Sequence, residues 1–228
     1  MGNKQVAPSL SSVRSSLDLS RRVSPYERIK QSILAGELHP GEPLVEATLA
    51  QWCAVSRTPI REALMRLEQD GLIRRGNRGF VVRESSPEEI LDLYEMRIVL
   101  ESTAARVAAE RRTVQDILLL RSSHDRVARY LDDPTAMAKS NQSFHRSIWR
   151  ASHNDSLVDL LERLNLHLGR YPATTLAFPG RPGSAYKEHE HLIEAIEARD
   201  GDAAAEAARQ HFTAARDIRL RLWSMEEQ

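Results

Sequence analysis

Three histidines and an asparagine are the residues of this 228-residue chain whose types and spacing suggest chemistry. Asn141 and His145 stand four apart, so on a helix they share one face. His189 and His211 fall on two later helical segments, 22 residues apart. Helices of a bundle can turn such groups into one interior, which is how bundle metal sites are built. Neutral imidazole suits Zn, Ni, Cu or Mn, and three imidazoles with an oxygen donor complete a tetrahedral or an open octahedral set. The competing reading is a group of hydrogen-bonded core histidines, and spacing alone leaves both open. His191, about 200° round the helix from His189, points away. His124, His153 and His167 read as surface or loop residues. A second group is cationic. Arg57, Thr58 and Arg61 lie at the start of a helix, and Asn77, Arg78 and Gly79 fall in a tight turn. Arginine can bond guanine O6 and N7 bidentately in the major groove, and Arg78 at a hairpin tip can enter the minor groove or pair with phosphate.

These groups need elements to position them. Pro25 opens a helix that runs to about Ala35, and Gly36 stops it. A second helix spans roughly Glu46 to Cys53. Thr58 is placed to cap a third, with Pro59 in its first turn and Ile60, Ala63, Leu64 and Leu67 along one apolar face. Leu49, Trp52 and Ile60 read as core. Two short extended runs, Leu72–Arg75 and Phe80–Arg83, follow as a hairpin. Three helices and a hairpin give the order of a winged helix-turn-helix. From Glu88 onward only helical patterning remains, with segments at 88–110, 113–131, 134–151, 155–169, 184–199 and 202–224, which read as a bundle.

The expected fold is therefore mainly α, with an N-terminal winged helix-turn-helix and a C-terminal all-helical bundle. Residues 1–22 are Ser-rich and basic and read as a mobile tail, 23–84 as the DNA-binding domain, and 88–225 as the effector-binding and dimerisation domain. Aromatics are 5% of the chain and charged residues 28%, which fits helical globular domains and excludes a rod or a disordered chain. No charge-free stretch exceeds ten residues, so a transmembrane helix is excluded and the protein is expected in the cytoplasm. The lone Cys53 argues for a reducing compartment and reads as structural. Net charge is zero but uneven. Residues 1–83 hold 13 Lys and Arg against 8 Asp and Glu, and the remainder 19 against 24. A basic first module suits a polyanion.

The run from Ile33 to Leu44 resembles the opening of GntR-type bacterial transcription regulators. So do Leu49-Ala50, the stretch from Val55 to Ile73 and the closing Arg78-Gly79-Phe80-Val81-Val82. The resemblance covers about sixty residues and implies that Arg57 and Arg61 contact an operator. Some members carry a further basic residue where this chain has Ala47. The second part resembles the all-helical FCD ligand domain of the FadR subfamily. The matching pieces are Leu93 to Glu101, Phe144-His145 with Asn154, Glu188-His189 with Glu194-Ala195-Ile196, and Ala207-Ala208 through His211. In many such domains an Asp, a His four later and two further His bind a divalent metal. Here the Asp position is Asn141, a weaker ligand that still offers an oxygen. The resemblance further implies a small carboxylic acid effector, anchored by the metal with help from arginine.

Arg97 matches that arginine, and equally forms an ordinary i,i+4 ion pair with Glu101. Arg146 and Arg170 are further candidates. The function expected is a metabolite-responsive transcription regulator, a repressor and not an enzyme. It would bind a double-stranded operator with an inverted repeat as a homodimer, and hold Zn or Ni, with Mn as a third candidate, at Asn141, His145, His189 and His211. The alternatives are a metal sensor without an organic effector and a three-histidine metalloenzyme.

Overall fold

The computed structural model describes residues 23–77, 79–84, 86–171 and 174–226. The expected tail at 1–22 and Arg78 lie outside the described residues. The chain divides into two compact units, the first ending at Glu84 and the second beginning at Ser85.

The first unit holds α1 (Pro25–Leu34), β1 (Pro43–Leu44), α2 (Glu46–Cys53), α3 (Arg57–Gln69), β2 (Ile73–Gly76) and β3 (Gly79–Val82). Ser24 caps α1 by accepting from the Glu27 amide, and Pro25 occupies the first turn, where its missing N–H costs nothing. α2 ends on Ala54 in the left-handed conformation, which turns the chain sharply into α3. The apolar face of α3 is buried as its spacing requires, with Ile60, Leu64 and Leu67 inaccessible to solvent beside Ile29 and Leu72. The N-terminal boundary of α3 differs from expectation. Its N-cap is Ser56, and Thr58 lies one residue inside the helix. Trp52 is also not core: it is 38% exposed and lies under the Arg28 guanidinium, 4.5 Å from the ring centroid. The hairpin gains a third strand. β1 pairs antiparallel with β3 through Pro43↔Val81 and Leu44↔Phe80, giving the order β1-β3-β2. Two residues carry too little alternation to announce a strand. At the wing tip Gly76 pairs with Gly79, whose φ of +118° suits only glycine.

The second unit is a bundle of α4 (Pro87–Arg111), α5 (Val114–Ala128), α6 (Pro134–Ala151), α7 (Asp155–Leu168), α8 (Arg181–Glu197) and α9 (Gly201–Glu226), with a 3-10 turn at Thr175–Ala177. Polar caps set the starts. Thr113 and Asp116 form a capping box on α5, Asp133 caps α6 ahead of Pro134, and Asn154 caps α7 through the Leu157 amide. α8 begins three residues earlier than its pattern suggests, so Arg181 and Pro182 lie in its first turn. The central pair is α4 and α9. Ala104, Ala105, Ala108 and Ala109 on one and Ala204 and Ala208 on the other are all fully buried. Small side chains let helix backbones approach closely, and Gly201 continues the seam, since a Cβ there would meet Arg106 at 3.2 Å. α6 and α8 close the core with Phe144, Ile148, Leu192, Ile193 and Ile196. Among the described residues, no helix is long and apolar enough to cross a membrane.

Candidate functional site

α6, α8 and α9 each send one histidine into the bundle interior. His145, His189 and His211 are 1%, 0% and 4% exposed, and one ring nitrogen from each lies within 4.8 Å of the other two. Asn141 precedes His145 by one turn, and its buried Oδ1 has no hydrogen-bond partner. Neither ring nitrogen of His145 or His189 has a partner among the described residues. Buried polar atoms left without a partner cost about 1–3 kcal/mol each. Two imidazoles with all four nitrogens orphaned are therefore poor core residues and good ligands. Burial is the main force holding both imidazoles well below their ordinary pKa, with the His211 and Arg181 charges acting in the same direction on each and Arg97 on His145. They are thus neutral, the form that binds a metal. Aromatic walls fix the rings: Phe144 stacks on His189 at 4.3 Å, and Phe212 packs on His145 and His211 at 4.9 and 4.7 Å. Three nitrogens each about 2.0–2.1 Å from one ion lie about 3.4–3.6 Å apart, so nitrogens up to 4.8 Å apart would close by roughly 1.2–1.4 Å on binding. The donor set fits a divalent ion.

His211 differs from the other two. Its Nδ1 lies 2.6 Å from Glu188 Oε2 and 3.3 Å from Arg181 Nη2, and Arg181 donates through Nη1 to the other Glu188 oxygen. Burial pushes Glu188 up, but the hydrogen bonds from His211 and Arg181 outweigh it and hold the carboxyl below its ordinary value. Burial also lowers His211, with Glu188 opposing.

A cavity of about 280 Å³ opens beside the cluster. Arg97, Lys139, Asn141, Arg181, His211 and Arg219 face it, and among the described residues no acidic side chain lines it. Arg97 faces both the cavity and Glu101. It lines the cavity, lies 4.5 Å over Phe212, and its Nε is 3.6 Å from Glu101 Oε1. Glu101 is 2% exposed and accepts from Trp149 Nε1 at 2.7 Å. Arg146 and Arg170 do not line this cavity. Arg146 is held in a two-pronged pair by Glu162, and Arg170 pairs with Glu89. Neither Arg181 nor Glu188 carries a binding-site signal of its own in the sequence. Arg181 sits after a loop with no periodicity to orient it, and Glu188 was legible only as the neighbour of His189. His124 is corrected as well. It is buried, stacks on Tyr186 at 4.1 Å and donates through Nε2 to the Tyr186 carbonyl, a satisfied core histidine. His153 and His191 are exposed.

In the first unit, Arg57, Thr58 and Arg61 lie exposed on the first turns of α3, Thr58 opposite its buried stripe and the two arginines on its flank. Arg61 Nε donates to Glu46 Oε2 of α2 at 2.8 Å. Asn77 is exposed at the wing tip beside Gly79. The arrangement presents a helix N-terminus and a hairpin turn, the two features a winged helix offers to DNA.

The family model of bacterial regulatory proteins of the gntR family matches residues 19–82, and that of the FCD domain matches residues 92–214. An HTH-type transcriptional regulator of Bacillus subtilis, YdhC, is 30% identical over 195 residues, 82% of this chain and 85% of that protein. The HTH-type transcriptional repressor RspR of Escherichia coli is 28% identical over 193 residues, covering 82% and 83%. Among solved structures, that of E. coli McbR/YncC superposes with a TM-score of 0.73 at 23% identity, covering 87% of this chain and 96% of that one.

Proposed function

Since this chain belongs to the GntR family of bacterial transcription regulators, a winged helix-turn-helix followed by an FCD ligand-binding domain and not an enzyme, we propose that it is a metabolite-responsive repressor of the cytoplasm. A small carboxylic acid, bound beside a divalent ion in the bundle, changes its affinity for an operator. Asn141, His145, His189 and His211 hold the ion, with Zn or Ni best suited to the imidazoles and Mn as a third candidate. When bound, the ion supplies a positive charge in a low-dielectric interior, where an anion is attracted more strongly than in water. Arg97 orients that anion from the cavity wall, with its guanidinium steadied on Phe212. The observation that carries the reading is the set of orphaned donors, four imidazole nitrogens and the Asn141 oxygen, beside a cavity whose charged lining residues, among those described, are all cationic. That cavity also favours an organic effector over a bare metal sensor.

DNA is read by Arg57, Thr58 and Arg61 in the major groove and by Asn77, Arg78 and Gly79 at the wing. A twofold dimer matches an inverted repeat. Met96 and Val99 on α4 and Leu160 on α7 are 52%, 60% and 52% exposed, apolar side chains of the kind a second copy would cover. The repressor sense is supported by the name of RspR. The test titrates the chelator-treated protein with Zn²⁺ and then with a panel of di- and monocarboxylates while following operator fragments by anisotropy. Operator release that needs both metal and acid supports the reading. Operator affinity indifferent to both overturns it.

A further inference from the structure

The carboxylate of Glu188 is shared between a cavity-wall cation and one imidazole of the cluster. Its Oε2 is 2.6 Å from His211 Nδ1, and its Oε1 accepts from Arg181 Nη1. A nitrogen and an oxygen at that distance need one proton between them. Arg181 is buried, so its charge beside Glu188 keeps the carboxyl ionised, and the proton therefore belongs to the ring. Arg181 Nη2, which can only donate, is then served by the His211 carbonyl at 3.3 Å. His211 is left as the Nδ1–H tautomer, with Nε2 its one lone pair.

On the reading of the cluster as a metal centre, we propose that Glu188 is its positioning residue, holding His211 in the tautomer that offers Nε2 to the ion. Carboxylates behind a ligating histidine fix ring orientation and raise ligand basicity, and their loss typically costs 10–100-fold in metal affinity. The arrangement makes the outcome of an isosteric change specific. In Glu188→Gln, Arg181 still requires an acceptor and takes the amide oxygen. The amide NH₂ is then turned toward His211 Nδ1 and donates to it. The ring becomes Nε2–H, and its ligating lone pair is lost.

The experiment uses the full chain, metal-free, with ¹⁵N-labelled histidine. Long-range ¹⁵N–¹H correlations report the His211 tautomer, assigned by loss of the signal in His211→Gln. Competition against a chromophoric chelator reports the affinity for Zn²⁺ alone, and circular dichroism confirms that helicity is retained. The parent is expected as Nδ1–H, with Glu188→Gln shifted to Nε2–H and Zn²⁺ bound about 10–100-fold more weakly. Persistence of the Nδ1–H form in Glu188→Gln overturns the proposal, as does a changed tautomer with unchanged Zn²⁺ affinity. A parent that binds no Zn²⁺ refutes the metal centre itself, and the tautomer measurement still decides what Glu188 does to His211.

Discussion

Glu101→Gln should make the protein more stable at alkaline pH, although it removes a partner of Arg97. Glu101 is 2% exposed, and burial is the largest influence on it, lifting its carboxyl from 4.5 to about 7. Arg97 at 3.6 Å and the Trp149 indole N–H offset only part of that cost. For an acid whose value is raised on folding, the sign is fixed by linkage. Below about 4.5 both folded and unfolded chains are protonated, and the contribution to stability is fully present. Between 4.5 and about 7 the unfolded chain ionises first and stability is drawn down. Above about 7 both are ionised and the folded state retains the whole penalty, about 3 kcal/mol at roughly 1.4 kcal/mol per pH unit. Glutamine cannot ionise, and its amide oxygen can still accept from Trp149. The difference in unfolding free energy between Glu101→Gln and the parent should therefore swing toward the mutant by about 3 kcal/mol between about pH 5 and about pH 8. The assay is urea unfolding of the chelated protein in a Trp52→Phe, Trp223→Phe background, so that Trp149 alone reports the helical unit. A difference that is the same at both pH values refutes the assignment of a buried, uncompensated carboxylate.

Acid acts on the cluster in the opposite direction. His145 and His189 are depressed by burial, so metal-free stability is intact above the unfolded value of about 6.5 and falls below it, up to tenfold in the folded-to-unfolded ratio per pH unit for each ring; replacing both by Gln should flatten that limb in urea titrations at falling pH. Asn141→Asp should tighten Zn²⁺ binding in the absence of acid and weaken the coupling between metal and carboxylate, read by calorimetry with and without the acid; equal affinities in all four titrations would remove position 141 from the ligand set. Arg57→Ala and Arg61→Ala should each cost about 1–3 kcal/mol of operator binding and relax base preference, measured by anisotropy on operator variants. Arg61 carries a further signature, because it must exchange Glu46 for a base. Glu46→Gln should therefore strengthen binding slightly, and no change would mean that the ion pair persists on DNA.

Local pattern determined much of this protein. The stripe Ile60, Ala63, Leu64, Leu67 fixed the face that α3 buries and left Thr58 opposite it and Arg61 on its flank, because 3.6 residues per turn leave no other solution, while Arg57 is exposed by its place at the helix start. Asn141 and His145 were bound to share a face for the same reason, and the helical segments after Glu88 were set by periodicity and by caps such as Thr113 and Asn154. Pattern did not reach the relations between segments. Leu44 became a strand only because β3 offered it partners, and Trp52 was left outside although its type suggested core. His124 and His189 are both buried, yet one met a carbonyl and a carboxylate and the other met neither. Whether a buried polar atom finds a partner depends on which helices pack beside it, and spacing along one helix carries no information about that. The convergence of three imidazoles, the burial of Glu101 and the division of Glu188 between His211 and Arg181 were decided by tertiary packing, where distances across helices set the electrostatics.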